Sequence, residues 1–207
     1  MIHCHALQWG PPRQPLTPPL DLHLPAGSFT TVTGANGVGK TSLLKVIAGL
    51  QKPLAGRVQV ARTRVGYLVQ QQAIDRQFPI RLAELVEAGL WGQRVPRAQR
   101  AERLRAALAT WQLEGMARLS LQAMSGGQLQ RALLARMSLT DAPLLLLDEP
   151  EANLDAAGRV LLWQQLQRWQ AQGRTLLMVC HDLHAVRRHA QRSLALSPQC
   201  VELREVA

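Results

Sequence analysis

The chain of 207 residues is short of cysteine, lysine, acidic residues and long apolar runs, and each shortage excludes something. Its three cysteines, Cys4, Cys180 and Cys200, are odd in number, scattered, and form no CxxC pair. A disulfide framework is therefore not expected, and a reducing compartment is. The longest aliphatic run, Leu144 to Leu147, falls far short of the roughly 18–20 apolar residues that a membrane span needs. The opening MIHCHALQWGPPRQP has neither the charged start nor the apolar stretch of a secretory signal. A cytoplasmic chain is expected, one that reaches a membrane only through a partner. Acidic residues number 14 against 24 basic ones, a formal charge of +10, and only Lys40, Lys45 and Lys52 are lysines. Such a balance fits nucleic acid, an anionic membrane surface or phosphorylated ligands. An arginine-favouring coding bias explains it equally well, so charge alone selects no partner.

With 47% hydrophobic and 18% charged residues the chain has the makings of a core, and its length bounds it to one domain with room for a small subdomain. An N-terminal strand is expected before a Pro-rich surface loop, Pro11 to Pro19. Strands are predicted at Phe29–Thr33, Val58–Val60, Val65–Val69, Leu144–Leu147 and Thr175–Val179. Helices are predicted at Thr41–Gly49, with Gly49 as the stop, and at Gly127–Ser138, Ala156–Gln172 and Leu183–His189. Between Arg81 and Met124 apolar residues recur three and four apart, which predicts a helical subdomain over 81–124 inside an α/β core of 1–80 and 125–207. Strand and helix alternate elsewhere, so the fold class is α/β with a mostly parallel sheet.

Three short segments carry chemistry. GANGVGKT, Gly34 to Thr41, fits G-x-x-x-x-G-K-[ST] in full, between a predicted strand and a predicted helix. Its glycines let the backbone curl around phosphate, and the amides of Ala35, Asn36, Gly37, Val38 and Gly39 lead into a helix N-terminus at Lys40, Thr41 and Ser42. Lys40 adds a full positive charge, and the Thr41 hydroxyl is a candidate ligand for Mg²⁺. LLLLDE, Leu144 to Glu149, reads as a strand buried on both faces with Asp148 at its carboxyl end, where open α/β sheets bind ligands. Asp148 is suited to hold Mg²⁺ through water, and Glu149 to polarise an attacking water. In MSGGQ, Met124 to Gln128, Ser125 is placed to cap a helix whose first amides are left open by Gly126 and Gly127.

The set and its order resemble the ATP-binding cassette (ABC) ATPases. The phosphate loop comes first, then Gln70 after the strand VGYLV, SGGQ at Ser125, DE at Asp148, NLD at Asn153–Asp155, and a lone His181 after TLLMVC. Ser125 and Asp148 lie 23 positions apart, and Asp148 and His181 33. The resemblance implies the ABC ATPase fold, a P-loop NTPase core with an N-terminal β subdomain and an inserted helical one. It also implies ATP and Mg²⁺ as cofactors and two copies packed head to tail, each phosphate loop against its mate's Ser125, Gly126, Gly127 and Gln128. By the same resemblance Thr41, Gln70 and Asp148 serve Mg²⁺, Glu149 is the catalytic base, His181 contacts the γ-phosphate, and Asp155 communicates across the pair. Trp9, followed by Gly10, is the expected adenine-stacking aromatic. Glu151 stands where the family often has Thr.

The stretch VGYLVQQQAIDRQFPIRLAELVEAGLWG is similar to the Gln-loop region of bacterial importers for zinc, manganese or iron. That likeness implies that this chain lies peripherally on the inner face of the cell membrane beneath transmembrane permease subunits, with a periplasmic solute receptor acting through them and no direct nucleic-acid partner. A subunit of a haem or other small-solute exporter, or a soluble nucleic-acid-associated ABC ATPase, is the alternative. His3, Cys4 and His5 alternate, so only the two histidines share a strand face, and two ligands make no complete tetrahedral site. They read as a variable first strand, with cargo metal passing through the permease instead.

Overall fold

Four consecutive leucines leave β6 (Leu144–Asp148) with no face suited to water, and all of its residues are buried. The same holds for β7 (Thr175–Val179), which lies parallel beside it with Leu146 opposite Leu177. Burial on both faces is what a central parallel strand requires. The structure, a computed structural model, describes residues 1–61, 64–69, 74–180 and 182–206. By its contacts the chain divides into two units.

The first unit comprises Met1–Tyr67, Ala142–Glu149 and Gln165–Ala207. Around β6 and β7 a six-stranded sheet is completed by β3 (Phe29–Gly34), β5 (Val65–Leu68), β8 (Arg192–Leu196) and β9 (Val201–Glu205), in the order β5-β6-β7-β3-β8-β9. β3 runs parallel to β7 and β8, and only β9 is antiparallel to its neighbour. A second, antiparallel sheet has the order β2-β1-β4, from β1 (Ile2–Gln8), β2 (Leu20–Leu24) and β4 (Ala55–Val60). In β1 the alternation turns Ile2 and Cys4 inward and His3 and His5 outward. A bulge with Ala6 at φ 46° then resets the register, so that Leu7 also faces in. Between the sheets lies α1 (Lys40–Ile47), whose Leu43, Leu44, Val46 and Ile47 join residues of both sheets in one apolar core. The chain leaves α1 at Gly49, where the amides of Gly49 and Leu50 return to the carbonyls of Val46 and Lys45.

The second unit comprises Leu68–Asp141 and Pro150–Gln164. Here α2 (Leu82–Glu87) and α3 (Arg97–Thr110) pack on α4 (Gly126–Leu139). Trp111, fully buried, fixes the contact by donating its indole N–H to Ser138 Oγ at 2.9 Å. The helix α5 (Ala156–Ala171) begins in this unit, and α6 (Leu183–His189) follows β7 in the other.

The α/β class, the mostly parallel sheet, the N-terminal β subdomain and the inserted helices are as expected, but three strands were not foreseen. β2 lies against the end of the Pro-rich loop, and β8 and β9 close the sheet at the carboxyl end of the chain. Among the described residues no helix is long and apolar enough to cross a membrane.

Candidate nucleotide site

The phosphate loop is the link between β3 and α1, as its sequence demands. Gly39 directly precedes the helix at φ 95°, a conformation open to glycine at little cost. A Cβ there would also lie 2.6 Å from Leu16 Cδ1 and 2.7 Å from the Trp9 indole nitrogen. The Gly39 carbonyl accepts two hydrogen bonds, from the Leu43 amide and from Trp9 Nε1, both at 2.9 Å. Lys40 is only 6% exposed, and its ammonium sits at the centre of the loop, donating to the Gly34 and Ala35 carbonyls at 2.8 and 2.9 Å. Thr41 and Ser42 follow in the first turn of α1.

Asp148 ends β6, so the sheet itself carries it to the loop. Its Oδ1 accepts from the Thr41 hydroxyl at 3.1 Å, while Oδ2 is buried with no hydrogen-bond partner. Burial holds this carboxyl above its ordinary range and Glu149 adds to the rise, against the Thr41 hydrogen bond and the charges of Lys45 and Lys40. Burial, with the Asp148 charge second, also pushes the Tyr67 phenol up to about 12. Tyr67 therefore belongs to this site, which sequence reasoning missed. The signal was available: it is the only tyrosine and stands three residues before Gln70. Glu149 next to Asp148 has φ 51°, a left-handed backbone that a non-glycine residue holds at a cost of about 1–3 kcal/mol.

In the second unit Ser125 caps α4 by a reciprocal box. Its Oγ accepts from the Gln128 amide at 3.2 Å, and Gln128 Oε1 accepts from the Ser125 amide at 2.8 Å. Just ahead of it, the Met124 carbonyl accepts from the Arg76 guanidinium. Gly126 and Gly127 admit the turn that holds Asn153, since a Cβ on Gly127 would lie 3.0 Å from the Asn153 carbonyl oxygen. Asp155 Oδ1 accepts from the Gly158 amide at 2.7 Å, so this carboxylate starts α5. Glu151 gains an explanation that the sequence did not offer: it accepts from the Trp163 indole at 2.9 Å and ties the same turn to α5.

One expectation is corrected. Trp9 has no accessible surface and lies in the apolar core, so neither face of its ring is open to a base. It braces the phosphate loop from behind through Gly39 instead. Gln70 and His181 lie outside the described residues.

A strand, a glycine loop closed around a buried lysine, and a carboxylate at the end of a second buried strand, with β7 between the two, form a phosphate-binding constellation. The ABC transporter family model matches residues 18–152. The chain is 34% identical over 186 residues to the zinc import ATP-binding protein ZnuC 2 of Aliivibrio fischeri, covering 88% of this chain and 74% of that one. It is 32% identical over 182 residues to the manganese transport system ATP-binding protein MntB of Bacillus subtilis, covering 83% and 73%. A solved metal-chelate type ABC transporter in an inward-facing conformation superimposes with a TM-score of 0.83 and 26% identity, covering 99% of this chain and 82% of that chain. The chain belongs to the ATP-binding cassette family of ABC transporters. It is an ATP-binding protein and an ATPase.

Two predictions follow from the geometry. Trp9→Phe keeps most of the ring but loses the donor, and is expected to lower stability by about 0.5–1.5 kcal/mol; Trp9→Ala is expected to cost about 3–5 kcal/mol in the same denaturant titration. Because the Asp148 carboxyl is raised in the folded chain, it destabilises above that raised value, and the penalty is lost as pH falls through it toward the unfolded value. Asp148→Asn is therefore expected to melt higher than the parent at pH 7, with the advantage shrinking through the acidic range.

Proposed function

We propose that the chain is the ATP-hydrolysing subunit of a membrane importer for a divalent transition metal of the zinc or manganese class. The observation that carries this reading is the likeness, over more than four fifths of the chain, to zinc and manganese transport ATP-binding proteins. The segment from Gln70 to Gly92 supports it independently by its similarity to the Gln-loop region of such importers.

The proposed chemistry follows the constellation. The triphosphate enters the loop between Gly34 and Thr41, and its oxygens replace the Gly34 and Ala35 carbonyls as partners of the Lys40 ammonium. Thr41 and Asp148 are the proposed Mg²⁺ ligands, with Gln70. The unpaired, buried Oδ2 of Asp148 beside a hydroxyl fits a hard cation that takes oxygen ligands. Mg²⁺, when bound, offsets charge on the β- and γ-phosphates. Glu149, one residue beyond Asp148, takes the proton of the attacking water. His181 holds the γ-phosphate end of the site.

Two copies pair head to tail in this reading. The N-terminus of α4, capped by Ser125, supplies partial positive charge to the γ-phosphate held by the other copy. ATP makes this contact and ADP lacks the group for it, so hydrolysis releases the pair. The permease subunits dock on the segment around Gln70, and a periplasmic receptor delivers cargo to them at the inner membrane.

The test is uptake into vesicles reconstituted with the chain and a permease of the zinc or manganese importer class from the same organism, with that permease's solute receptor outside. Zinc or manganese uptake that needs internal ATP is expected. Glu149→Gln is expected to keep ATP binding and lose about 10²–10⁴-fold in turnover and uptake. Uptake of neither metal, with ATPase stimulated by haem or another solute, contradicts the cargo. Unchanged turnover in the variant contradicts the base.

A further inference from the structure

The outer face of the antiparallel sheet carries a histidine arrangement that the ATPase reading does not use. β1 exposes His3 and His5, and β2 exposes Asp21 and His23. The register sets His3 directly opposite His23, and their rings stack with centroids 4.3 Å apart and planes 18° from parallel. Facing residues of an antiparallel pair have Cβ atoms about 4.5–5.5 Å apart, so the two imidazoles spring from positions close enough for one ion to span. Two nitrogens at 2.0–2.1 Å from a tetrahedral ion lie about 3.3 Å from each other. The stack holds the two ring planes nearly parallel, so both rings have to swing out of it about their side-chain torsions for their nitrogens to converge on one ion.

We infer that His3 and His23 form a two-imidazole binding site for a divalent first-row transition cation such as Zn²⁺ or Ni²⁺. Imidazole is the ligand these ions favour, and neither backbone nor core has to move to admit one, because both side chains are exposed. His5 is not counted as a ligand, because it lies two residues along β1 from His3, pairs through Nδ1 with Asp21 Oδ1 at 3.0 Å, and faces the Arg57 cation on β4. Among the described residues no three His, Cys, Asp or Glu side chains converge, so water fills the remaining positions. The site is open, a place for reversible loading.

This site is independent of the nucleotide constellation and of the cargo proposed above. It is tested on the untagged full chain without nucleotide, by titrating Zn²⁺ and Ni²⁺ against a competing chromophoric chelator and following the histidine ring signals by NMR. One equivalent is expected to bind at pH 7.5, with Ni²⁺ broadening the His3 and His23 signals first and Mg²⁺ failing to compete. His3→Gln and His23→Gln are each expected to weaken binding by at least the roughly tenfold that losing a mere outer partner costs. His189→Gln is expected to leave it unchanged. Equal affinity in parent, His3→Gln and His23→Gln, or broadening spread evenly over the six histidines, overturns the inference.

Discussion

One carbonyl joins the parts of the nucleotide unit. Gly39 O accepts from the first turn of α1 and from the indole of Trp9, which lies just beyond the end of β1. The loop conformation is thereby tied at once to the helix it leads into and to the second sheet. Without that double bond a glycine loop would have many conformations to lose on binding, and the entropy of ordering it would be charged against affinity. The loop is instead held against the core, with the Lys40 ammonium already drawn into its centre.

The second constraint is electrostatic. Asp148 is carried into a buried position by a strand that has no other polar residue, and one of its oxygens is left without a partner. An orphaned buried carboxylate oxygen costs folding free energy and is retained where something else satisfies it. In the proposed reading a cation satisfies this oxygen together with the Thr41 hydroxyl, at the two residues that the loop and the sheet bring together. Strain at Glu149 fits the pattern, since unfavourable backbone conformations persist where the surrounding fold over-determines them.

Much of this was legible in the residues. The phosphate loop, the buried DE strand and the capped SGGQ helix each announce themselves by chemistry that only certain residue types perform, at spacings that the fold then realises. What escaped notice had weaker local signals. LDLHL in β2 does alternate, yet it follows a run of prolines that masks it as loop. β8 pairs with β3, far away in the sequence, and long-range pairing leaves no mark in a short window, while β9 only extends that edge by pairing with β8. Trp9 was misjudged because an aromatic ahead of a phosphate loop looks alike whether it faces a base or the core. Only the packing, with the ring fully buried and its N–H bonded to the Gly39 carbonyl, distinguishes them. Glu151 found its meaning in Trp163, twelve residues on, and the His3–His23 pair arose from a register that no count of ligand spacing reveals.

The central claim is that the triphosphate is held in a seam between two copies, loop on one side and Ser125 helix on the other. Light scattering on Glu149→Gln with Mg²⁺ and either ATP or ADP reads it most directly. The account predicts twice the chain mass with ATP, the single-chain mass with ADP, and a single chain even with ATP once Ser125→Arg is added. A single chain in ATP, or a pair that forms alike in ADP or survives the added arginine, would contradict it.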